Sequence, residues 1–140
     1  MCDFSDTNHL LLAFRVAVFL VVGVFVGCGG SDRATVSGTL LHQDGTPLVG
    51  ARVIARSDAT GKSAYGQTNG KGYFELGGAK EGDGIPPGDY YVTIVEDFGD
   101  ENNPRPASIS NKYRNPNTSG LGLSVKAGEE AVLDAKLDGR

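Results

Sequence analysis

The sequence predicts an all-β domain of seven short strands, preceded by an N-terminal signal or anchor helix. Three observations carry this. Glycine is abundant, with 21 in 140 residues and only Gly23 and Gly27 ahead of Cys28, against roughly 7% in average proteins, so the chain after Cys28 is rich in turns. No stretch beyond Cys28 repeats apolar residues at the i, i+3, i+4, i+7 spacing that lets a helix bury one face. Instead, short runs alternate apolar and polar residues, as a half-buried strand does, and Gly, Pro, Asn and Asp punctuate them.

The first element is the apolar core Val16 to Val26, which follows Arg15 and ends at Gly27 and Cys28. A permanent transmembrane helix needs about 20 apolar residues, whereas a signal-peptide core needs about 7 to 15. Extension back to Leu10 reaches spanning length only by enclosing Arg15, which is costly at the bilayer centre. The expected organisation is a signal peptide over 1–27, a polar tether over 28–34 and one β domain over 35–138. An uncleaved anchor and an ordinary cleaved signal are the alternatives. The only cysteines are Cys2 and Cys28, so once 1–27 is removed no intramolecular disulfide can form.

The strands follow in order. In TVSGTLL, Val36, Gly38 and Leu40 share one parity. A turn at Asp44-Gly45-Thr46-Pro47 leads to ARVIAR, with Ala51, Val53 and Ala55 inward. SAYGQT (Ser63 to Thr68) and GYFEL (Gly72 to Leu76) flank the hairpin Asn69-Gly70-Lys71-Gly72, where Gly72 suits positive φ. Pro86-Pro87-Gly88 launches DYYVTIVED (Asp89 to Asp97), and LGLSVK (Leu121 to Lys126) and AVLDAKL (Ala131 to Leu137) complete the set around Ala127-Gly128. Phe74, Leu76, Tyr90, Val92 and Ile94 form one inward face. Seven such strands make a sandwich or a small barrel. Between them, 98–120 carries Pro104, Pro106 and Pro116 and almost no alternation, so it is a functional, self-packed or disordered connection.

Net charge is −4, or −3 without Asp3, Asp6 and Arg15, and it is spread without long runs. Nucleic acid and anionic headgroups require a concentrated basic face and are excluded as partners. Thr60-Gly61-Lys62-Ser63 ends like a phosphate-binding loop, but Arg56 stands where its first glycine belongs. After removal of the signal, His42 is the one remaining histidine, too few for zinc chemistry, and it reads as a turn residue. Glu96, Asp97, Asp100 and Glu101 are hard oxygen donors without the order of a dedicated calcium loop. No metal or other cofactor is therefore expected. Tyr113 and Arg114 are the candidate binding residues, offering a recognition patch on the long connection unless the tyrosine packs that connection onto the sandwich.

Phe25-Val26-Gly27-Cys28 resembles the bacterial lipobox, which implies acylation of Cys28 on sulfur and its conversion into the N-terminus. VSGTLLHQDGTPLVGARVIA, TNGKGYFEL and IPPGDYYVTI together resemble the carboxypeptidase regulatory-like family from Val36 to about Val95. That resemblance implies a seven-stranded transthyretin-like β-sandwich without a catalytic domain of its own. ISNKYRNPNTSGLGLSVKAGE is similar to a recurrent ending of small planctomycete lipoproteins that carry this domain. Hydroxyisourate hydrolases of related fold need several histidines and a Tyr-Arg-Gly-Ser terminus, whereas this chain ends Leu137-Asp138-Gly139-Arg140. Isopeptide-stapled sandwiches need a first-strand lysine and a last-strand asparagine, which TVSGTLL and AVLDAKL lack. The expectation is a non-enzymatic, lipid-anchored cell-envelope protein facing the periplasm or the outside, with a protein or glycan of the envelope as partner. The alternative is a hydrolase or carbohydrate-binding accessory protein using the 98–120 connection.

Overall fold

A computed structural model describes residues 32–140. The 1–27 segment, Cys28 and most of the 28–34 tether lie outside the described residues. Within them the chain is all-β, with no α-helix. The strands are β1 (Thr35–His42), β2 (Arg52–Arg56), β3 (Ser63–Gln67), β4 (Tyr73–Glu75), β5 (Gly88–Val95), β6 (Gly99–Asp100), β7 (Asn103–Pro104), β8 (Leu121–Val125), β9 (Glu130–Val132) and β10 (Ala135–Leu137), with a 3-10 turn at Asn111–Arg114 between β7 and β8.

Two four-stranded sheets enclose the core, as in a β-sandwich. In the first, β1 is central, antiparallel to β4 on one side and parallel to β9 and then β10 on the other. The second runs β3-β2-β5-β8 and is antiparallel throughout. The inward parity is as expected: Val36, Leu40, Val53, Ala55, Phe74, Leu76, Tyr90, Val92 and Ile94 are all buried. Tyr90 buries its ring and donates its hydroxyl to the Pro86 carbonyl at 2.7 Å, so the polar tip is satisfied where the Pro-Pro-Gly turn enters β5. Burial holds that phenol above its ordinary pKa.

The strand count of seven is corrected to ten. The expected single strand Ala131 to Leu137 is two, β9 and β10, separated at Leu133 and Asp134. Leu133 N–H still donates to Ser37 O at 2.8 Å, but the Leu133 carbonyl then swings over Gly38, where a Cβ would sit 2.0 Å from its oxygen. The Thr39 N–H that this break would orphan is taken by the Asp134 carboxylate at 2.8 Å. The other two additional strands, β6 and β7, form a ribbon inside the 98–120 connection.

That connection is a self-packed loop. Its two anchors, Ile109 and Tyr113, belong to the core. At the opposite side of the sandwich, Tyr65 and Gly77 exchange N–H···O bonds of 2.9 and 3.0 Å, clipping β3 to the chain that leaves β4. Gly72 in the hairpin takes φ +76°, as its turn requires.

Candidate binding surface

The structure separates the two residues that the sequence offers as a recognition patch. Tyr113 is 5% exposed. Asp138 N–H donates to its hydroxyl at 3.0 Å, and that hydroxyl donates to Asp138 Oδ2 at 3.3 Å. The Lys112 ammonium pairs with the same carboxylate and lies 5.0 Å from the Tyr113 ring centroid. The apolar ring gains by burial and its polar end is met by the strand terminus, so Tyr113 pins the loop to the sandwich. Its neighbour Arg114 is exposed, with its guanidinium 4.9 Å from the ring centroid of Phe98. Hydrogen bonding from Lys112 holds the Asp138 carboxyl below its ordinary value, and Asp138 in turn raises Lys112.

The acidic residues at the start of the loop do not converge. The Glu96 carboxylate accepts from Ser108 N–H at 2.9 Å and from the Ser108 hydroxyl. Asp97 accepts from Gly99 N–H at 2.9 Å and pairs with Arg105 at 2.9 Å, while Asp100 accepts from the N–H groups of Asn102 and Asn103. These oxygens are committed to shaping the loop, and among the described residues no group of three His, Cys, Asp or Glu could hold a metal. His42 ends β1 and lines a shallow depression of about 420 Å³ with Asp44 and Ser108. The Asp44 carboxyl there is lowered by hydrogen bonds from the Thr46 hydroxyl at 2.6 Å and N–H at 3.0 Å. Thr60 and Gly61 lie in the β2–β3 turn and Ser63 begins β3, so the residues that echo a phosphate-binding loop stand in a hairpin and not at a helix start.

The surface that sequence reading missed is the outer face of the β3-β2-β5-β8 sheet. Alternation puts Val53, Ala55, Val92 and Ile94 inside, which sends Arg52, Ile54, Arg56, Tyr65 and Tyr91 out. Register arranges them in rows across the strands. Tyr65, Ile54 and Thr93 form one row, and Ser63, Arg56, Tyr91 and Gly122 form the next. Tyr65 is 47% and Tyr91 49% exposed. Neither the Arg52 nor the Arg56 guanidinium makes an ion pair or hydrogen bond among the described residues. Three depressions border the rows, and the one between Arg52, Ile54, Gln67, Glu96 and Asp97 measures about 280 Å³. Two more lie beside the tyrosines. One, of about 330 Å³, lies between Arg52, Tyr65, Gln67 and Glu81; the other, of about 340 Å³, lies between Asp58, Asp89 and Tyr91. The signal was present in the same alternation that identified the core, but strand order, which puts the two tyrosines on one face two strands apart, is not written in local sequence.

No protein-family model matches the chain, and no curated protein matches it. Among solved structures, the chain is similar to the Bacillus anthracis TIE protein at 24% identity and a TM-score of 0.50, over 75% of this chain. The match covers 16% of that longer chain, and at this identity the likeness concerns the fold alone.

Proposed function

We propose that this chain is a lipid-anchored, non-catalytic protein of the bacterial cell envelope whose β-sandwich is a binding module of the transthyretin-like, carboxypeptidase regulatory-like kind. The observation that carries the anchor is the signal-sized apolar run that stops at Gly27-Cys28. Two acyl chains, each burying many methylenes at about 0.8 kcal/mol apiece, hold a domain at a membrane that its net negative charge would not otherwise favour. For the module, support comes from the three family-like phrases, which fall on β1 and β2, on the hairpin into β4 and on β5. A rigid pair of sheets is suited to displaying a fixed array of side chains, though function resides in the array and not in the fold. Glu96 and Asp97, which lead into the 98–120 loop, and Asp100 within it accept from that loop's own N–H groups and from Arg105, which supports a module over a hydrolase using these carboxylates.

The test is Cys28→Ser. Serine cannot form the thioether that carries the diacylglyceryl group, so the variant should leave the detergent phase or accumulate unprocessed, while the wild type partitions into detergent with the signal removed and lipid mass added. Unchanged partitioning of both proteins at the 140-residue mass would identify an uncleaved helix and end the lipoprotein reading.

A further inference from the structure

We propose that the outer face of the β3-β2-β5-β8 sheet binds a neutral polysaccharide, with Tyr65 and Tyr91 as the platform for its sugar rings and Arg52 and Arg56 as hydrogen-bond donors to its hydroxyls. This deepens the binding-module reading and rests on it. Tyrosine presents a large, rigid contact with an apolar body and a polar tip and loses little entropy on binding, which suits a sugar ring whose C–H face is apolar and whose rim is hydroxylated. The two tyrosines stand two strands apart and two residues offset, about 12 Å by ordinary strand spacings. A monosaccharide does not bridge that distance; a chain of several rings does.

The polar groups around the platform define the charge of the ligand. Arg52, Arg56 and Gln67 donate, while Asp58, Glu81 and Asp89 accept. None of these three carboxylates has a cationic partner among the described residues, and the two guanidiniums are equally uncommitted. Positive and negative groups therefore interleave without a net basic field, which disfavours a polyanion and matches a hydroxylated ligand that both gives and receives hydrogen bonds. The area argues against a protein partner. The paired face is staggered, with β2 against Tyr91–Val95 of β5 and β8 against Gly88–Val92, and its projected area is on the order of 350 Å² from strand spacings, well short of the about 800 Å² per partner in a stable protein interface.

Affinity electrophoresis of the detergent-solubilised full chain tests this, with hydroxyethylcellulose, galactomannan and laminarin as neutral probes and polygalacturonate as the anionic one. At least one neutral polymer should retard the wild type, with little dependence on salt. Tyr65→Ala and Tyr91→Ala should each weaken that retardation at least tenfold, Arg52→Gln severalfold, and Tyr73→Ala on the other sheet not at all. Tyr65→Phe, which keeps the ring, should retain most of the binding and so separate ring contact from loss of fold. Retardation by polygalacturonate alone, by none of the neutral polymers, or undiminished in the Tyr65→Ala/Tyr91→Ala double variant would overturn the proposal. Cys28→Ser should leave retardation unchanged, so failure of the anchor and failure of the glycan face are read separately.

Discussion

Tyr73 and Phe74 are adjacent on β4 and face opposite ways. Phe74 is 1% exposed and lies opposite Gly38, whereas Tyr73 is 39% exposed and donates its hydroxyl to Glu75 at 2.7 Å. Phe74→Ala should therefore cost about 3 to 5 kcal/mol, the range for emptying an aromatic site in a packed core. Tyr73→Ala removes surface contacts and one exposed hydrogen bond and should cost less than about 1 kcal/mol. Urea midpoints of the two variants check this, and equal losses would mean a register shifted by one residue. Parity made this pair legible from sequence because the strand period is a local property. Tyr113 was not legible in the same way. Its burial depends on Asp138, 25 residues further along the chain, and nothing in Asn-Lys-Tyr-Arg-Asn announces that partner.

At the scale of elements, the alternation of AVLDAKL is continuous, and the burial pattern still alternates across Leu133 and Asp134. A single strand was the natural reading. The break lies in the hydrogen-bond ladder, which periodicity does not report. Gly38 was the available sign, since glycine inside a strand marks a bulge or a close backbone approach. An alanine methyl there would sit 2.0 Å from the Leu133 carbonyl oxygen and 3.0 Å from the Phe74 ring, so Gly38→Ala should destabilise by about 2 to 3 kcal/mol. Gly70 meets nothing within 4 Å and has no positive φ. Gly70→Ala should be neutral or stabilise by up to about 1 kcal/mol through the unfolded chain. Thermal melts of the two alanine variants decide the matter; similar midpoints would mean that β1 and Leu133 do not approach this closely. The β6–β7 ribbon escaped prediction for a different reason. Its two-residue strands are too short to show alternation, and Asp97 and Asp100 shape it through side chain–backbone bonds.

At the scale of the whole domain, the first strand pairs with the last two, so the sandwich closes only when chain ends about 100 residues apart in sequence meet, a costly long-range step. Asp138 directly follows β10 and ties that closure to the 98–120 loop. Its backbone carbonyl accepts from Ser110 N–H at 2.9 Å, while its carboxylate holds Lys112 and Tyr113. This clasp makes a pH prediction. The Asp138 carboxyl is depressed below 3.8 in the folded state, so its contribution to stability is present above 3.8 and is lost as pH falls through the lower folded value. Lys112 is raised above 10.5, so its contribution is present below 10.5 and disappears as pH rises through the higher folded value. Asp138→Asn should therefore be less stable than the wild type at neutral pH, and the gap should close in strong acid. The gap should be small, because the two side chains are 42% and 50% exposed and solvent screens the pair. Hydrogen exchange localises the effect. At neutral pH the Ser110 amide should exchange faster in Asp138→Asn while amides of β2 and β5 keep their protection, because the clasp secures the loop and the apolar core secures the sheets. A stability gap of the same size in acid as at neutrality would mean that Asp138 acts through packing and its backbone bond, with the ion pair contributing nothing.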